Sequence, residues 1–375
     1  MVRRLLRLTN RSVFVQFELG LKNNFLRDAE RLVKNKEEVE LKKLGIILGA
    51  VAALGFLAVP SVQAAEVLNV YSSRHYDVDK QVYADFEKET GIKVNVVEGK
   101  GDELLERLTR EKDKPEADLF LTVGAESIAP LMERGLSEGF SSAAVEKNIP
   151  ARYRGEGWMG ITARARVIAY PLDRVDPSKI TSYDDLTKPE WKGKVLVRSS
   201  SSSYNVALLS SFIQLNGADA AKAWAQGVVG NLARTPKGND RDQAKAVVAG
   251  EGDLAVMNSY YFIRMMRSSD PAEADAAKKI GLIFPKPVHL NLSIAALVRG
   301  AGNKDNAVKF LEFLSGEHVQ ALYAEANGEF PLNPSVPLPE VQKSWGAFEP
   351  QELNYETLGK AKPEAAAIFD QVGWK

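Results

Sequence analysis

The sequence predicts an α/β fold of two lobes, each a mixed, mainly parallel sheet flanked by helices, with a ligand cleft between the lobes. Two observations carry this prediction. Strand-like and helix-like patterns alternate in two separate stretches of the chain, which is typical of parallel sheets covered by helices. Between these stretches lies one long extended segment, "GWMGITARARVIAYP", which is suited to crossing from one lobe to the other.

The first α/β stretch begins with "VLNVYSS", which reads as a buried strand ending at Ser72 and Ser73. A helix follows in "DVDKQVYADFEKETG", because apolar residues recur there at helical spacing until Gly91 ends the pattern. The alternation then continues with strand "IKVNVVEG", helix "GDELLERLTREKD", strand "ADLFLTVG" and helix "AESIAPLMERGL".

After the extended segment, "PSKITSYDDLTKPEWKGKVLVRS" is rich in turns and ends in a strand. A second α/β series runs through "YNVALLSSFIQLNG", "AAKAWAQGVVGN" and "DQAKAVVAGEGDLAVMNSYY". Strands in "IGLIFP" and "HLNLSIAALVRGAG" then precede a helical pair. We expect lobe 1 to comprise residues 66–166 and 284–334, and lobe 2 residues 167–283 and 335–375. The hinge is expected in the crossings near residues 165–170 and 280–285.

The composition excludes several classes of protein. The 375 residues include no cysteine, so disulfides, thiolate metal sites and cysteine nucleophiles are excluded. The formal charge is zero, but residues 1–65 carry 11 basic and 6 acidic side chains, which leaves 38 basic and 43 acidic side chains in the remainder. This mildly acidic body argues against a nucleic-acid-binding protein, which would present a basic face.

The N-terminal region predicts export to the periplasm. Lys42 and Lys43 precede an apolar run over residues 44–59, and Ala64 ends a small-residue cleavage signal. These are the parts of a cleavable secretory signal over residues 41–64, with a permanent membrane anchor as the alternative. Residues 1–40 precede this signal, so we expect a non-native or disordered extension, with translation starting within residues 33–41.

Two aromatic pairs draw attention because each follows a predicted strand. "RHY" places His75 and Tyr76 after the first strand, and "NSYY" places Tyr260 and Tyr261 after a strand of the second series. Ligands bind at the carboxyl ends of strands in open α/β sheets, so we expect both pairs to face the same cleft. The "NS" dipeptide favours a helix start, which would let two adjacent tyrosines serve one site.

The chemistry of the phenol group points to a hard metal ion. The pKa of a free phenol is about 10, and a trivalent cation with an arginine nearby lowers it by stabilising the phenolate. Phenolate is an anionic oxygen donor, which suits ferric iron better than the softer metals that thiolates hold. Arg264 lies one helical turn beyond Tyr260 and is expected to supply that positive charge.

Other interpretations stay open on these residues alone. Tyrosine pairs commonly pack in a core or at its rim, and their ring faces can also hold an organic cation. Asp118 and Glu126 could serve a secreted hydrolase, although the sequence contains no zinc-protease helix, nucleophile elbow or Walker A loop. His289 and His318 are expected to be structural.

Six motifs, taken in order, resemble the ferric-ion-binding periplasmic proteins of bacterial ABC iron importers, most closely those of the cyanobacterial Fut/Idi type. They are "YSSRHY", "ETGIKVNVVEGKGDELLERL", "ADLFLTV", "YDDLTKPEWKGKV", "GDLAVMNSYYF" and "FLEFLSGE". The resemblance covers essentially all of the chain after Ala65. It implies a two-lobed type II periplasmic binding protein that binds Fe³⁺ and delivers it to an ABC permease at the inner membrane. We expect a monomer that is not an enzyme; the alternative is a same-fold receptor for an organic cation or oxyanion.

The resemblance also implies a set of metal ligands, which are His75, Tyr76, Tyr204, Tyr260 and Tyr261. Arg164, Arg166 and Arg264 are expected to lie beside these side chains without binding the metal. Other family members place a glutamate ligand after the second strand. Here that neighbourhood offers Glu98 and Glu103, without a clear match.

Overall fold

The computed structural model of the protein describes residues 66–375. The predicted extension over residues 1–40 and the predicted signal over residues 41–64 lie outside the described residues. The strands are β1 Val67–Ser72, β2 Lys93–Glu98, β3 Leu119–Val123, β4 Arg154–Gly155, β5 Trp158–Pro171, β6 Val195–Leu196, β7 Leu254–Asn258, β8 Ile280–Ile283, β9 Leu290–Leu297 and β10 Phe330–Pro331. Over this range, no helix is both long enough and apolar enough to cross a bilayer.

Helices alternate with the strands in both predicted α/β stretches. The α-helices are Asp77–Thr90, Gly101–Arg110, Ile128–Glu133, Ala143–Asn148, Ser203–Asn216, Ala218–Gly230, Asp240–Val248, Ser259–Met266, Pro271–Lys279, Lys304–Ser315, Glu317–Asn327, Glu340–Ser344, Tyr355–Leu358 and Lys362–Val372. Short 3₁₀ helices are Ala125–Ser127, Ala151–Tyr153, Pro177–Lys179, Tyr183–Thr187, Pro189–Trp191 and Gly359–Ala361. Gly91 ends the first helix with a φ of 73°, a left-handed conformation that glycine adopts without strain. The predicted helix end is therefore confirmed.

One long strand, β5, joins the two halves of the sheet. Residues 158–165 of β5 pair antiparallel with β9, and its later residues pair antiparallel with β7 and β8. The strand order is β2-β1-β3-β9-β5-β7-β6, and β4, β8 and β10 also pair with β5. Pairing is parallel between β1 and β2, β1 and β3, and β6 and β7. The change of partner within β5 lies in the extended segment that the sequence predicts as a crossing.

A tyrosine hydroxyl ties the crossing strands together. The N–H of Arg166 in β5 donates to the carbonyl of His289, just before β9, at 2.9 Å. The Tyr183 hydroxyl donates to the Arg166 carbonyl at 2.5 Å and accepts from the His289 N–H at 3.1 Å. The outgoing and returning segments of the chain are thus held side by side where the two halves of the sheet meet.

The apolar side chains are buried in two clusters. The larger cluster contains strands β1, β3, β5 and β9 with the helices packed on them, including Phe86 and Phe310, whose rings meet edge to face at 4.8 Å. The smaller cluster surrounds Trp224 and Trp374, whose ring centroids are 6.1 Å apart. The larger cluster also includes Val247 and Met257, so it extends past the β5 crossing into the second α/β series.

Candidate metal centre

Tyr76 and Tyr260 meet in space although 184 residues separate them in the sequence. Tyr76 follows β1 and directly precedes the helix Asp77–Thr90, and Tyr260 lies in the first turn of the helix Ser259–Met266, after β7. Their hydroxyl oxygens are 3.5 Å apart, and their rings meet edge to face with centroids 6.3 Å apart. The two strand ends therefore meet, as expected for pairs that serve one site.

Tyr261 packs against its neighbour, with ring centroids 4.1 Å apart and ring planes inclined by 33°. Adjacent side chains share this site because they lie in the first turn of a helix, as predicted. The helix start is held to the crossing strands, since the Ser259 hydroxyl accepts the N–H of Ala165 at 3.2 Å. The Asn258 side chain makes no cap hydrogen bond. Its oxygen instead accepts from the Asn291 amide at 2.8 Å, which ties β7 to β9.

Tyr204 joins the cluster from the first turn of the helix Ser203–Asn216. Its ring lies against two guanidinium groups, with Arg166 at 5.8 Å and Arg198 at 5.6 Å from the ring centroid. Burial raises the pKa of Tyr204, the nearby Arg164 lowers it in part, and negative charge on Tyr76 raises it further. Tyr76 and Tyr204, which the sequence assigns to different lobes, therefore lie close enough for the charge of one to affect the pKa of the other.

His75 lies at the edge of the phenol cluster and is exposed. Its ring stacks on that of Tyr76, with centroids 5.2 Å apart and planes inclined by 23°. Its Nδ1 atom lies 3.4 Å from the Ser73 carbonyl, so the tautomer with a proton on Nδ1 would donate a hydrogen bond there. That tautomer leaves Nε2 as the nitrogen able to accept a metal.

The three arginines predicted to flank the tyrosines all lie against their rings. The guanidinium carbon of Arg164 is 5.2 Å from the Tyr260 centroid and 5.8 Å from the Tyr76 centroid. Arg264, which is exposed, lies 5.6 Å from the Tyr76 ring, and Arg166 lies against Tyr204 as described above. Positive charge at these positions favours the phenolate over the phenol.

Two further arginines lie beside the tyrosine rings, and the sequence did not predict them. Arg74 is buried 5.3 Å from the ring centroid of Tyr76, and Arg198 flanks Tyr204. Signals for both were present, because Arg74 is part of the "RHY" motif and Arg198 precedes the serine run that leads to Tyr204. An arginine at the end of a strand is commonly a surface residue, so neither was singled out.

The sequence analysis also did not single out Glu329, a buried carboxylate that connects Arg164 of β5 with Arg74 of the "RHY" motif. Glu329 accepts hydrogen bonds from Thr162 at 2.6 Å, from Arg74 at 3.2 Å and from Asn327 at 2.9 Å, and it forms an ion pair with Arg164. Burial acts to raise the pKa of Glu329, but the two arginines outweigh it and lower the pKa to about 2. Glu329 is therefore ionised at any physiological pH.

Asp240 has the corresponding role behind Tyr204. This carboxylate, fully buried at the start of the helix Asp240–Val248, accepts from Arg166 at 2.5 Å and from Arg198 at 2.7 Å. It also accepts the backbone N–H of Asn258 at 2.9 Å, which connects it to the strand that leads to the tyrosine pair. Each buried carboxylate thus holds two arginines against the phenol cluster.

The donor set of the cluster is phenolic. Burial raises the pKa of Tyr260 and of Tyr261, as it does for Tyr204, so these hydroxyls carry protons at neutral pH. In the described part of the chain, no group of three or more His, Asp or Glu residues is placed to hold a metal ion. Glu98 and Glu103 are exposed, and Glu103 pairs with Lys100. A metal in this cleft would therefore depend on phenol oxygens, which fits a hard trivalent ion.

The remaining histidines lie away from this cluster, consistent with the structural roles predicted for them. His289 is fully buried, its Nδ1 is 2.9 Å from the Gln351 side-chain oxygen, and burial lowers its pKa to about 4. His318 is on the surface, with its Nε2 atom 3.6 Å from Asp85.

Comparison with known proteins identifies the family to which the chain is similar. The family described as bacterial extracellular solute-binding protein matches residues 81–350. Iron uptake protein A1 of Synechocystis sp. is 42% identical over 314 residues, which cover 82% of this chain and 87% of the relative.

Two solved structures of ferric-binding proteins have a fold similar to that of this chain. The structure of Trichodesmium IdiA (FutA) in complex with iron and citrate is 43% identical, with a TM-score of 0.78, and the match covers 82% of this chain and 100% of that one. The ferric binding protein from Campylobacter jejuni is 39% identical, with a TM-score of 0.77 and the same coverage.

Proposed function

We propose that this protein is a periplasmic ferric-iron receptor, because the chain belongs to the family of bacterial extracellular solute-binding proteins. Its relatives include iron uptake and ferric-binding proteins, so its class is a transport receptor and not an enzyme. The observation that carries the proposal is the convergence of Tyr76, Tyr204, Tyr260 and Tyr261 beside buried arginines. Fe³⁺ is the cargo, and an ABC-type permease at the inner membrane receives it.

The phenols are the proposed ligands. Binding of Fe³⁺ replaces the proton of each phenol by the metal, and the phenolate oxygens then supply hard, anionic donors. The arginines stabilise the phenolates from the ring faces without using up the oxygen lone pairs. His75 completes the set through Nε2 as a weaker, neutral ligand from the first lobe.

An organic cation is a poorer fit to this cleft. Such a ligand would lie on the faces of the tyrosine rings. Those faces already lie against guanidinium groups, with Arg74, Arg164 and Arg264 all within 6 Å of the Tyr76 centroid. A second cation there would be repelled by the arginines. Binding of Fe³⁺ instead displaces the phenol protons, and four phenolates with Fe³⁺ carry one net negative charge, which the arginines attract.

Ferric citrate titration of the purified apo-protein tests the proposal. We expect a saturable absorption band in the visible region, because electrons are promoted from tyrosinate to Fe³⁺. Iron-free citrate is the matched control and separates iron binding from oxyanion binding. A protein that binds citrate but gives no band with ferric iron would overturn the assignment and favour the oxyanion receptor.

Closure of the cleft is the proposed response to iron. Tyr76 would come from lobe 1, residues 66–166 and 284–334, and the other tyrosines from lobe 2, residues 167–283 and 335–375. All four can bind one ion only when the lobes are together, so iron should favour the closed state by its higher affinity for that state. The hinge lies in the crossings near residues 165–170 and 280–285.

Small-angle scattering with and without iron measures this closure. We expect saturation with iron to reduce the radius of gyration of the wild type by about 1 Å, the scale of a hinge motion. Tyr76→Phe should still bind iron through the lobe 2 tyrosines but should close less, and Tyr355→Phe, which removes a buried phenol elsewhere, should close like the wild type. An unchanged radius in the iron-saturated wild type would mean that His75 and Tyr76 do not reach the metal.

Export is the remaining part of the proposal. Membership of the family supports a periplasmic location, and we propose that the signal over residues 41–64 is cleaved near Ala64 to release a monomer. N-terminal sequencing of the exported protein tests the cleavage site. A retained residue 41–64 segment would favour a membrane anchor.

A further inference from the structure

The two buried carboxylates behind the tyrosines can explain how the site distinguishes ferric from ferrous iron, which the phenols alone do not do. Ferric and ferrous iron differ by one unit of charge, and phenolates bind both. Glu329 and Asp240 are each fully buried, and each forms ion pairs with two arginines. The charge around the metal therefore depends on how many carboxylates accompany the arginines.

The net charge behind the tyrosines follows from the arginines and the carboxylates that pair with them. In lobe 1, Arg74 and Arg164 are balanced by Glu329 and by Asp79, which pairs with Arg74 at 2.8 Å. Behind Tyr204, Arg166 and Arg198 are opposed only in part by Asp240, since two guanidinium groups share one carboxylate. These seven side chains together carry one net positive charge. Arg264 is exposed, so water screens its charge.

This single charge matches the ferric complex. Four phenolates with Fe³⁺ carry one net negative charge, whereas the same phenolates with Fe²⁺ carry two. In a buried site, charge that lacks a nearby counterpart is unfavourable. The arrangement behind the tyrosines therefore compensates the ferric complex and under-compensates the ferrous complex.

We propose that Glu329 and Asp240 are specificity-determining positioning residues, which set the preference of the site for Fe³⁺ over Fe²⁺. They act through the arginines and touch no ligand oxygen. Each carboxylate holds its two arginines against the rings and cancels one of their charges. This inference rests on the proposed function, since it presumes iron bound by the four phenolates.

Removing one carboxylate charge should shift the preference toward ferrous iron. In Glu329→Gln and Asp240→Asn the charge behind the site rises to two, which would match the ferrous complex. For a unit charge about 10 Å from the metal at an effective dielectric constant of about 20, the ratio of the ferrous to the ferric dissociation constant should fall about tenfold. The reduction potential of the bound iron should rise correspondingly, by about 59 mV.

Both dissociation constants are measured by chelator competition, anaerobically for Fe²⁺, together with the reduction potential. Asp118→Asn is the matched control, because Asp118 is also buried but accepts hydrogen bonds from Asn69 and Asn303 rather than from an arginine. It should leave the ratio unchanged. The double variant Arg74→Gln/Glu329→Gln removes one charge of each sign and should return the ratio toward that of the wild type.

The outcomes separate the two proposals. A wild type that binds no Fe³⁺ would overturn the proposed function itself. A wild type that binds Fe³⁺, with ratios in Glu329→Gln and Asp240→Asn within twofold of the Asp118→Asn value, would overturn only the role of the carboxylates. If the ratio in the double variant departs further from the wild-type ratio than that of Glu329→Gln, the carboxylate has a structural role instead. If Glu329→Gln does not fold, Asp240→Asn provides the same test in the other lobe.

Discussion

Replacement of both Tyr260 and Tyr261 by phenylalanine is expected to abolish the visible band and to weaken ferric binding by more than about 100-fold. Loss of a residue that merely supports a metal ligand weakens binding by about 10- to 100-fold, so loss of two anionic ligands should exceed that range. The phenylalanine rings preserve the ring contact at 4.1 Å and the contact of Arg164 with ring 260, so the change is confined to the two oxygen atoms. Ferric citrate competition and the absorption spectrum measure the effect.

Single variants should rank the ligands. Tyr260→Phe and Tyr261→Phe should each remove or strongly shift the band, and Tyr204→Phe should weaken it. His75→Ala should have a smaller effect than Tyr76→Phe, because a neutral imidazole is a poorer donor to a hard trivalent ion than a phenolate. Tyr355→Phe is again the control for removal of a buried phenol. Wild-type iron affinity in the Tyr260/Tyr261 double variant would show that the ligands lie elsewhere.

The fold and the two aromatic pairs were accessible from the sequence because both depend on local patterns, whereas Tyr204 was assigned from the family resemblance alone. Alternation of strand and helix predicted the sheet, and one long extended segment predicted the crossing in β5. The "NS" before the tyrosine pair predicted a helix start, which is where both tyrosines lie. The rule that ligands bind at strand ends then predicted that Tyr76 and Tyr260 lie close together.

The charge network could not be predicted in this way, because its partners are distant in the chain and its members look ordinary. Arg164 and Glu329 are 165 residues apart. Glu329 follows a helix and Asp240 begins one, positions at which carboxylates are commonly exposed. Only the folded chain places both carboxylates at full burial between two arginines. Asn258 illustrates the same point, since its position predicts a helix cap and its side chain instead bonds to β9.

Iron affinity should fall steeply as the pH is lowered. Burial raises the pKa of Tyr204, Tyr260 and Tyr261, so each carries a proton in the iron-free protein and must lose it to bind the metal. Protons therefore compete with iron, and each phenol that is deprotonated on binding should change the affinity about tenfold per pH unit. With citrate as competitor, the protein should release iron below about pH 5. Arg264→Leu should move the midpoint of release to higher pH, because phenolates form less readily without that positive charge.

This release should occur without unfolding, which distinguishes it from acid denaturation. The pKa of Glu329 is lowered to about 2, so the stability that its ion pairs contribute is present above the unfolded-state value of about 4.3 and is lost only as the pH falls toward 2. His289, with its pKa lowered to about 4, stays uncharged down to pH 5. Iron release and circular dichroism should therefore be followed together from pH 8 to pH 5, at matched free ferric concentrations. A flat affinity across this range would favour a neutral or carboxylate site over phenolate ligands, and loss of the circular dichroism signal in step with release would attribute the release to unfolding.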